Sequence, residues 1–309
     1  MTDRHVLVTG GAGFIGSHLV DAYLARGWRV SIIDDLSTGD RRNVNPQAEL
    51  HVANLCDGET MELLRTLRPN VISHHAAQID VRKSVADPGF DAEANIVASV
   101  RLLQTAMEIG VERVVFASSG GALYGEPQHA PQREDHPAEP MSPYGCAKLS
   151  VEHYLHFYRV VHGLPSVALR YANVYGPRQN AHGEAGVIAI FTSKLLAGEE
   201  ATINGDGAQT RDFVFVGDVV AANLAATDGS WQGSFNVGTG LETNVKQLYD
   251  AIAAAAGIAR PPRHAPAKAG EQMRSVLDGT KLRDLAALPR PVALADGIAE
   301  TVAWFRQRT

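Results

Sequence analysis

The chain has 309 residues, 45% hydrophobic and 20% charged, with a net charge of -6 at pH 7. That is enough apolar chain for two domains, or one domain with a sizeable lobe. The charges are spread without a long basic run, Arg41-Arg42 and Arg82-Lys83 being too short to count, which argues against nucleic acid or an anionic membrane as the main partner.

Two cysteines, Cys56 and Cys146, offer neither a disulfide framework nor a metal spacing. The 12 histidines are scattered, and His74-His75 lacks the separated partners of a metal motif, so no metal site is expected. The start of the chain runs into strand-like sequence without an apolar signal region, and the alanine-rich stretch 251–259 is too short for a bilayer. The expected location is the cytoplasm.

In chain order, short β-branched runs alternate with stretches of helical length. Residues 5–8, 29–33, 50–54, 71–75, 114–117 and 167–171 read as strands. Residues 15–26, 59–67, 92–109 and 143–162 read as helices, several closed by glycine, as at Gly27, Gly110 and Gly163. This is the βα alternation of a parallel sheet with helices over both faces. After Tyr175-Gly176-Pro177 the alternation weakens, and loop-like stretches such as 180–186 and 261–270 become common. A smaller lobe is expected to begin there. No repeat, low-complexity tail or flexible linker separates the parts, so they are expected to pack tightly with a cleft between them.

Thr9-Gly10-Gly11-Ala12-Gly13-Phe14-Ile15-Gly16 comes straight after an apolar strand and opens a helix, the context a dinucleotide fingerprint requires. The spacing of Gly10, Gly13 and Gly16 differs from the usual GxGxxG. Small residues let the backbone approach a pyrophosphate, and amides at the helix start supply partial positive charge. Asp34 ends the second strand, where an acid hydrogen-bonds both ribose hydroxyls and repels a 2′-phosphate; Asp35 is adjacent and can share the task. The expected cofactor is therefore NAD rather than NADP. The fold class that follows is α/β: a Rossmann-type doubly wound parallel sheet over residues 1–176, joined by part of 212–260, with a smaller C-terminal lobe over 177–309.

Tyr144 and Lys148 lie four positions apart in Ser142-Pro143-Tyr144-Gly145-Cys146-Ala147-Lys148. If Ser142 caps a helix and Pro143 takes its first turn, phenol and ammonium share one face, one turn apart. A tyrosine with a pKa of about 10 needs roughly 4 kcal/mol of preference for its phenolate to act as a base at neutral pH. One unit charge at about 4 Å and an effective dielectric of about 20 is worth about that much, so Lys148 with a cationic nicotinamide ring suffices in principle.

These motifs come in one order together with Phe116-Ala117-Ser118-Ser119-Gly120-Gly121-Ala122-Leu123-Tyr124-Gly125, Leu169-Arg170-Tyr171-Ala172-Asn173-Val174-Tyr175-Gly176-Pro177-Arg178, and Gly205 to Phe213. So arranged, the chain resembles the extended short-chain dehydrogenase/reductases, the NAD-dependent epimerase/dehydratase group, and within them the UDP-glucose 4-epimerases. The resemblance covers nearly the whole chain. It implies an enzyme that oxidises a UDP-hexose at C4 with tightly bound NAD and returns the hydride to the other face. It also implies a UDP-sugar-binding C-terminal lobe and a homodimer built from helices 92–109 and 143–162.

By this resemblance Tyr144 takes the C4 hydroxyl proton, Lys148 holds the nicotinamide ribose and depresses the phenol pKa, and a serine hydroxyl orients the sugar. Ser119 is the choice for that serine, with Ser118 as the alternative, because the stretch carries one extra small residue. Phe14, Ile15, Asn54, Leu55, Ala76, Ala77, Asn95 and Tyr171 fall at cofactor positions, Asn54 and Leu55 where the family usually has Asp-Ile or Asp-Leu. Asn173 and Arg211 fall beside the substrate diphosphate, and either Lys268 or Arg274 is a second phosphate-binding cation. Gly120, Gly121 and Ala122 stand where related dehydratases carry an Asp-Glu pair, so simple epimerisation is favoured. Ser275 falls at a wall position where a bulky residue excludes N-acetyl groups. Its small size leaves UDP-N-acetylglucosamine and UDP-glucuronate open as alternatives.

Overall fold

The structure, a computed structural model, describes residues 4–181, 186–267 and 272–308. Its elements begin with β1 (His5–Thr9), α1 (Phe14–Ala25), β2 (Arg29–Asp34), β3 (Glu49–Val52), α2 (Gly58–Leu67) and β4 (Val71–His74). Next come α3 (Val81–Ala86), α4 (Pro88–Ala92), a π turn (Glu93–Val97), α5 (Ala98–Glu108), β5 (Arg113–Ser119), α6 (Gly120–Leu123), α7 (Pro143–His162) and β6 (Ser166–Tyr171). Then follow β7 (Asn173–Tyr175), α8 (Val187–Leu196), β8 (Thr202–Asn204), β9 (Thr210–Arg211), β10 (Phe213–Phe215), α9 (Val216–Asp228) and β11 (Gly233–Val237). The chain closes with β12 (Thr243–Asn244), α10 (Val245–Ala256), β13 (Arg263–Ala265), β14 (Arg274–Ser275), α11 (Thr280–Leu285) and α12 (Leu294–Arg306).

The chain divides into two compact units. The first takes residues 1–123, 140–170 and 220–235; the second takes 124–139, 171–219 and 236–309. Residues 124–139, which the sequence reading leaves in the first lobe, belong with the second. Their backbone explains it: Gln132 donates to the Val276 carbonyl and accepts from the Asp278 amide, and Asn236 donates to the Gln132 carbonyl.

The first unit is built on a seven-stranded sheet in the order β11-β6-β5-β4-β1-β2-β3. Strands β5, β4, β1, β2 and β3 pair in parallel, as the alternating pattern requires. The reversal of order between β1 and β4 is the switch point at which doubly wound sheets bind ligands, outside the carboxyl ends of the strands. Thr9 and Gly10 stand there, with His74 to Ala77 beside them. One face of the sheet packs Leu102, Leu103, Ala106, Val151, Leu155 and Tyr158 over Leu7, Ile72, Val114 and Phe116. The other packs Leu19, Val20 and Tyr23 against Val6, Val8, Val30 and Ile32.

Over residues 92–109 the sequence reading expects one continuous helix. Five residues, Glu93–Val97, instead form a π turn. One extra residue per turn there shifts the face that α4 presents relative to α5, and such insertions gather at functional sites. The second unit uses far shorter pieces: β12-β9-β14, β10-β7 and β13-β8 are sheets of two- and three-residue strands. No helix among the described residues is long and apolar enough to cross a membrane.

Candidate active site

Between β1 and α1 the backbone turns through Gly10 at φ +70°, a left-handed conformation that L side chains rarely adopt. A Cβ on Gly10 would lie 2.7 Å from the Ala76 nitrogen, and one on Gly16 would collide with the Gly10 carbonyl oxygen. The loop is therefore pressed flat where a ligand must come close. Helix α1 starts at Phe14 with Gly13 as its cap, no side-chain cap and no acid in the first turn. Its first amides and the positive end of its dipole are left to an anion. Asp34, buried at the end of β2, accepts from the Ala12 amide (2.9 Å) and the Leu36 amide (2.8 Å). A carboxylate has about four acceptor sites, so lone pairs remain for two ribose hydroxyls. Burial raises the Asp34 pKa, and the two amides oppose that rise.

The neighbouring cofactor residues divide. Asp35 is taken up by Ser37 and by the Asn54 amide (3.2 Å), which ties the turn after β2 to the end of β3. Asn54 also caps the Cys56 amide, and the Leu55 side chain points into the core. Ala76 and Ala77 follow β4 half-buried, with the Ala76 amide donating to Thr9 Oγ1. Asn95 is fully spent away from the cradle. Its amide donates to the Gln78 carbonyl and to Asp91 Oδ1, and its oxygen accepts the Gln78 amide, so it clamps the loop after β4.

Helix α7 forms as its sequence dictates. Ser142 Oγ accepts the Gly145 amide at 3.1 Å, Pro143 takes the first position, and Gly163 ends the helix at φ +70°. The Tyr144 amide, otherwise an orphan of the first turn, donates to Ser84 Oγ of α3. One turn on, the Lys148 ammonium is buried, donates to the Ala117 carbonyl at 2.9 Å, and lies 4.7 Å from the Phe116 ring centre and 5.7 Å from the Tyr144 ring centre. Ser119, the last residue of β5, lies near the Tyr144 side chain and favours its ionised form. Ser118 does not join them. Successive strand residues face opposite sides, and its hydroxyl donates to Glu152 at 2.6 Å.

Burial dominates the electrostatics of the pair. Burial pushes the Tyr144 phenol above its ordinary value, the Asp91 charge pushes it further, and the nearby Ser119 hydroxyl offsets only part. The Lys148 ammonium donates to the Ala117 carbonyl and lies within Coulombic reach of the phenol. Burial lowers the Lys148 pKa to about 8, while Asp91 and Glu152 hold it up.

Two acids at this site escaped the sequence reading. Glu152 sits on the buried face of α7 and accepts from Arg170 (2.7 Å), Ser118 and Ser234 (2.7 Å), locking the helix to β5, β6 and β11. Its signal is the four-residue step from Lys148. Asp91, on α4 and 1% exposed, accepts from Gln78 and Asn95 at Oδ1, while its Oδ2 has no hydrogen-bond partner among the described residues. A buried acceptor left so costs about 1–3 kcal/mol, and more when charged.

In the second unit, Arg211 and Ser275 are paired neighbours of β9 and β14. Arg211 donates to the carbonyls of Thr210 (2.8 Å) and Gln272 (2.7 Å), which fixes its guanidinium, and Ser275 is buried. Asn173 lies exposed on β7, its amide on the Asp212 carbonyl, and Tyr171 is buried at the end of β6. Asp212, which the sequence reading passed over, is the pin of this region: its carboxylate accepts from Thr239 N and Oγ1, Gly240 N and Leu277 N. Arg274 is not a spare cation. It forks onto Glu242 at 2.5 and 2.8 Å in an exposed ion pair. Lys268 lies outside the described residues. No cluster of metal-ligating side chains occurs among the described residues.

A glycine cradle at a helix start, an acid at the end of β2 and a Tyr-Lys-Ser set with a buried ammonium suit a dinucleotide enzyme working on a hydroxyl. Residues 6–238 match the profile of the NAD dependent epimerase/dehydratase family. The chain belongs to that family. Its cofactor is NAD, and the cradle fits one: the pressed glycines and uncapped α1 suit a diphosphate, and Asp34 a ribose without 2′-phosphate. The chain is 48% identical over 309 residues to a UDP-glucose 4-epimerase of Mycolicibacterium smegmatis, with 98% of this chain and 99% of the relative covered. Among solved structures it is similar to the UDP-glucose 4-epimerase of Thermotoga maritima with UDP-glucose, at TM-score 0.96 and 43% identity, covering 99% of each chain. It is also similar to the UDP-glucose 4-epimerase of Thermus thermophilus in complex with NAD, at TM-score 0.93 and 44% identity, covering 99% of this chain and 100% of the other.

Proposed function

We propose that the chain interconverts UDP-glucose and UDP-galactose by inverting C4 of the hexose. The observation that carries this reading is Tyr144 at the start of a helix whose next turn buries the Lys148 ammonium 5.7 Å from the phenol ring, with Ser119 nearby. Bound NAD supplies a hydride acceptor that gives the hydride back after the 4-keto sugar has turned over, so the reaction is redox-neutral. Tyr144 Oη takes the C4 hydroxyl proton and later returns it. Ser119 orients that hydroxyl, and the Lys148 ammonium stabilises the phenolate and holds the nicotinamide ribose. Gly10, Gly13, Phe14, Ile15 and Gly16 receive the cofactor diphosphate, Asp34 the adenosine ribose. Arg211 and Asn173 hold the substrate diphosphate, for which a guanidinium with a fixed fork is suited. The neutral Gly120, Gly121 and Ala122 provide no further acid or base for eliminating water.

Purified protein given UDP-galactose, without added NAD, should produce the UDP-glucose anomeric proton signal; UDP-N-acetylglucosamine and UDP-glucuronate are the comparison substrates. Interconversion of none of them sinks the reading, and preference for either alternative moves it to that sugar. We also place the enzyme in the cytoplasm, where its unpaired Cys56 and Cys146 stay reduced. We read it as a homodimer through α7, which exposes Tyr154, Phe157 and Val161 at helical spacing. Light scattering of the unaltered chain and of Phe157→Glu checks the second point: a dimer that becomes a monomer.

A further inference from the structure

The acids beside Lys148 are not equivalent. Glu152 is matched by Arg170 and two serines. Asp91 makes no ion pair among the described residues, is 1% exposed, and keeps one oxygen without a hydrogen bond. Its other oxygen is pinned by Gln78 and Asn95, each at 2.9–3.0 Å, and α4 and the π turn that follow this clamp pack directly on α7. A structural clamp needs an acceptor there, which an asparagine would supply. It does not need a buried carboxylate with a second, unmatched oxygen.

We propose that Asp91 is a positioning residue of the proton-transfer pair: a buried negative charge, held against α7 by the Gln78/Asn95 clamp, that keeps the Lys148 ammonium charged and in place beneath Tyr144. This rests on the roles proposed above for Tyr144 and Lys148. The other groups facing Lys148 do not do the same work. From β4, His74 and His75 are neutral in the working range, burial having pushed both down to about 3. From β5 come the Phe116 ring and the Ala117 carbonyl. From α7 come Tyr144 and Glu152, the latter matched by Arg170. Burial favours loss of the ammonium proton, and Asp91 opposes this; the same charge opposes ionisation of the phenol. Removing it should therefore move both members of the pair toward acid, which loss of packing alone would not do.

Asp91→Asn keeps an acceptor for Gln78 and Asn95 and removes only the charge. With isotope-labelled lysine, NMR titration of Lys148 in that variant should give a midpoint about one pH unit below the unaltered protein's, the lower end of what a nearby charge does. Both limbs of the turnover pH profile should shift to acid in step. Gln78→Ala, which removes one of the two donors to Asp91 and leaves Asn95 holding the charge, should leave the Lys148 midpoint in place. Asp91→Ser carries the same expectation as Asp91→Asn if the asparagine variant does not fold. An unmoved Lys148 midpoint on loss of the charge, or an equal shift in Gln78→Ala, overturns the inference. Absence of epimerase activity in the unaltered protein would instead overturn the proposed function, and the titration would still decide the role of Asp91.

Discussion

Tyr144 and Arg211 are held in opposite ways. Tyr144 stands in the first turn of a helix of 20 residues, capped at both ends, docked on a parallel sheet and cross-linked to it through Glu152 and Arg170. Arg211 ends a strand of two residues between two others equally short. Its surroundings are gathered by Asp212, one carboxylate receiving four donors. In the first unit, then, position comes from long elements that form cooperatively, and a side chain can be lost at the cost of chemistry alone. In the second, position comes from individual side chains, and losing one costs structure.

The largest effect should come from Tyr144→Phe. Turnover falls by over about a hundredfold, as expected on loss of a general base, while bound NAD and melting temperature stay unchanged. A lower melting temperature would break the comparison. Asp212→Ala should do the reverse, destabilising the protein by about 2 kcal/mol in urea titrations because buried donors are left unmet, and raising the KM for the sugar more than it lowers kcat.

At low pH a further effect appears, an acid weakness of the sheet. His74 is buried between Thr9 Oγ1 (2.7 Å) and Ser99 Oγ (3.0 Å), and its pKa falls from 6.5 to about 3. The unfolded chain takes up that proton first. The contribution is intact above pH 6.5 and is lost as pH falls toward 3, by up to about 1.4 kcal/mol per unit. His74→Gln should flatten this part of the pH dependence of unfolding. The smallest effect belongs to Arg274→Ala, whose exposed, solvent-screened pair with Glu242 contributes little and whose loss should leave the KM within about twofold. A tenfold rise would return Arg274 to the substrate.

What the sequence made legible follows the same division. Ser142, Pro143 and Gly163 act within one turn of themselves, so α7 could be read to its end residues. Six of the seven strands of the main sheet carry apolar runs long enough to recognise; β11, Gly-Ser-Phe-Asn-Val, does not and escaped the sequence reading. The π turn could not be read, because residues 92–109 keep an unbroken helical composition and the extra residue shows only in hydrogen bonding. Asp91 looks like any solvated helix charge until α4 is seen against α7. The choice between Ser118 and Ser119 needed the pleat of β5. That Arg274 is spent depended on Glu242, 32 positions away in the loop just before β12.

The edge strand β11 has a consequence for how the protein is made. It pairs with β6, yet it begins at Gly233, and everything from 172 to 232 must leave the ribosome between them. At about 5–20 residues per second, the edge of β6 stands open for roughly 3–12 s in every nascent chain. An unpaired apolar edge is a template for another chain, so crowded polysomes translating this protein are where chaperones should be needed most.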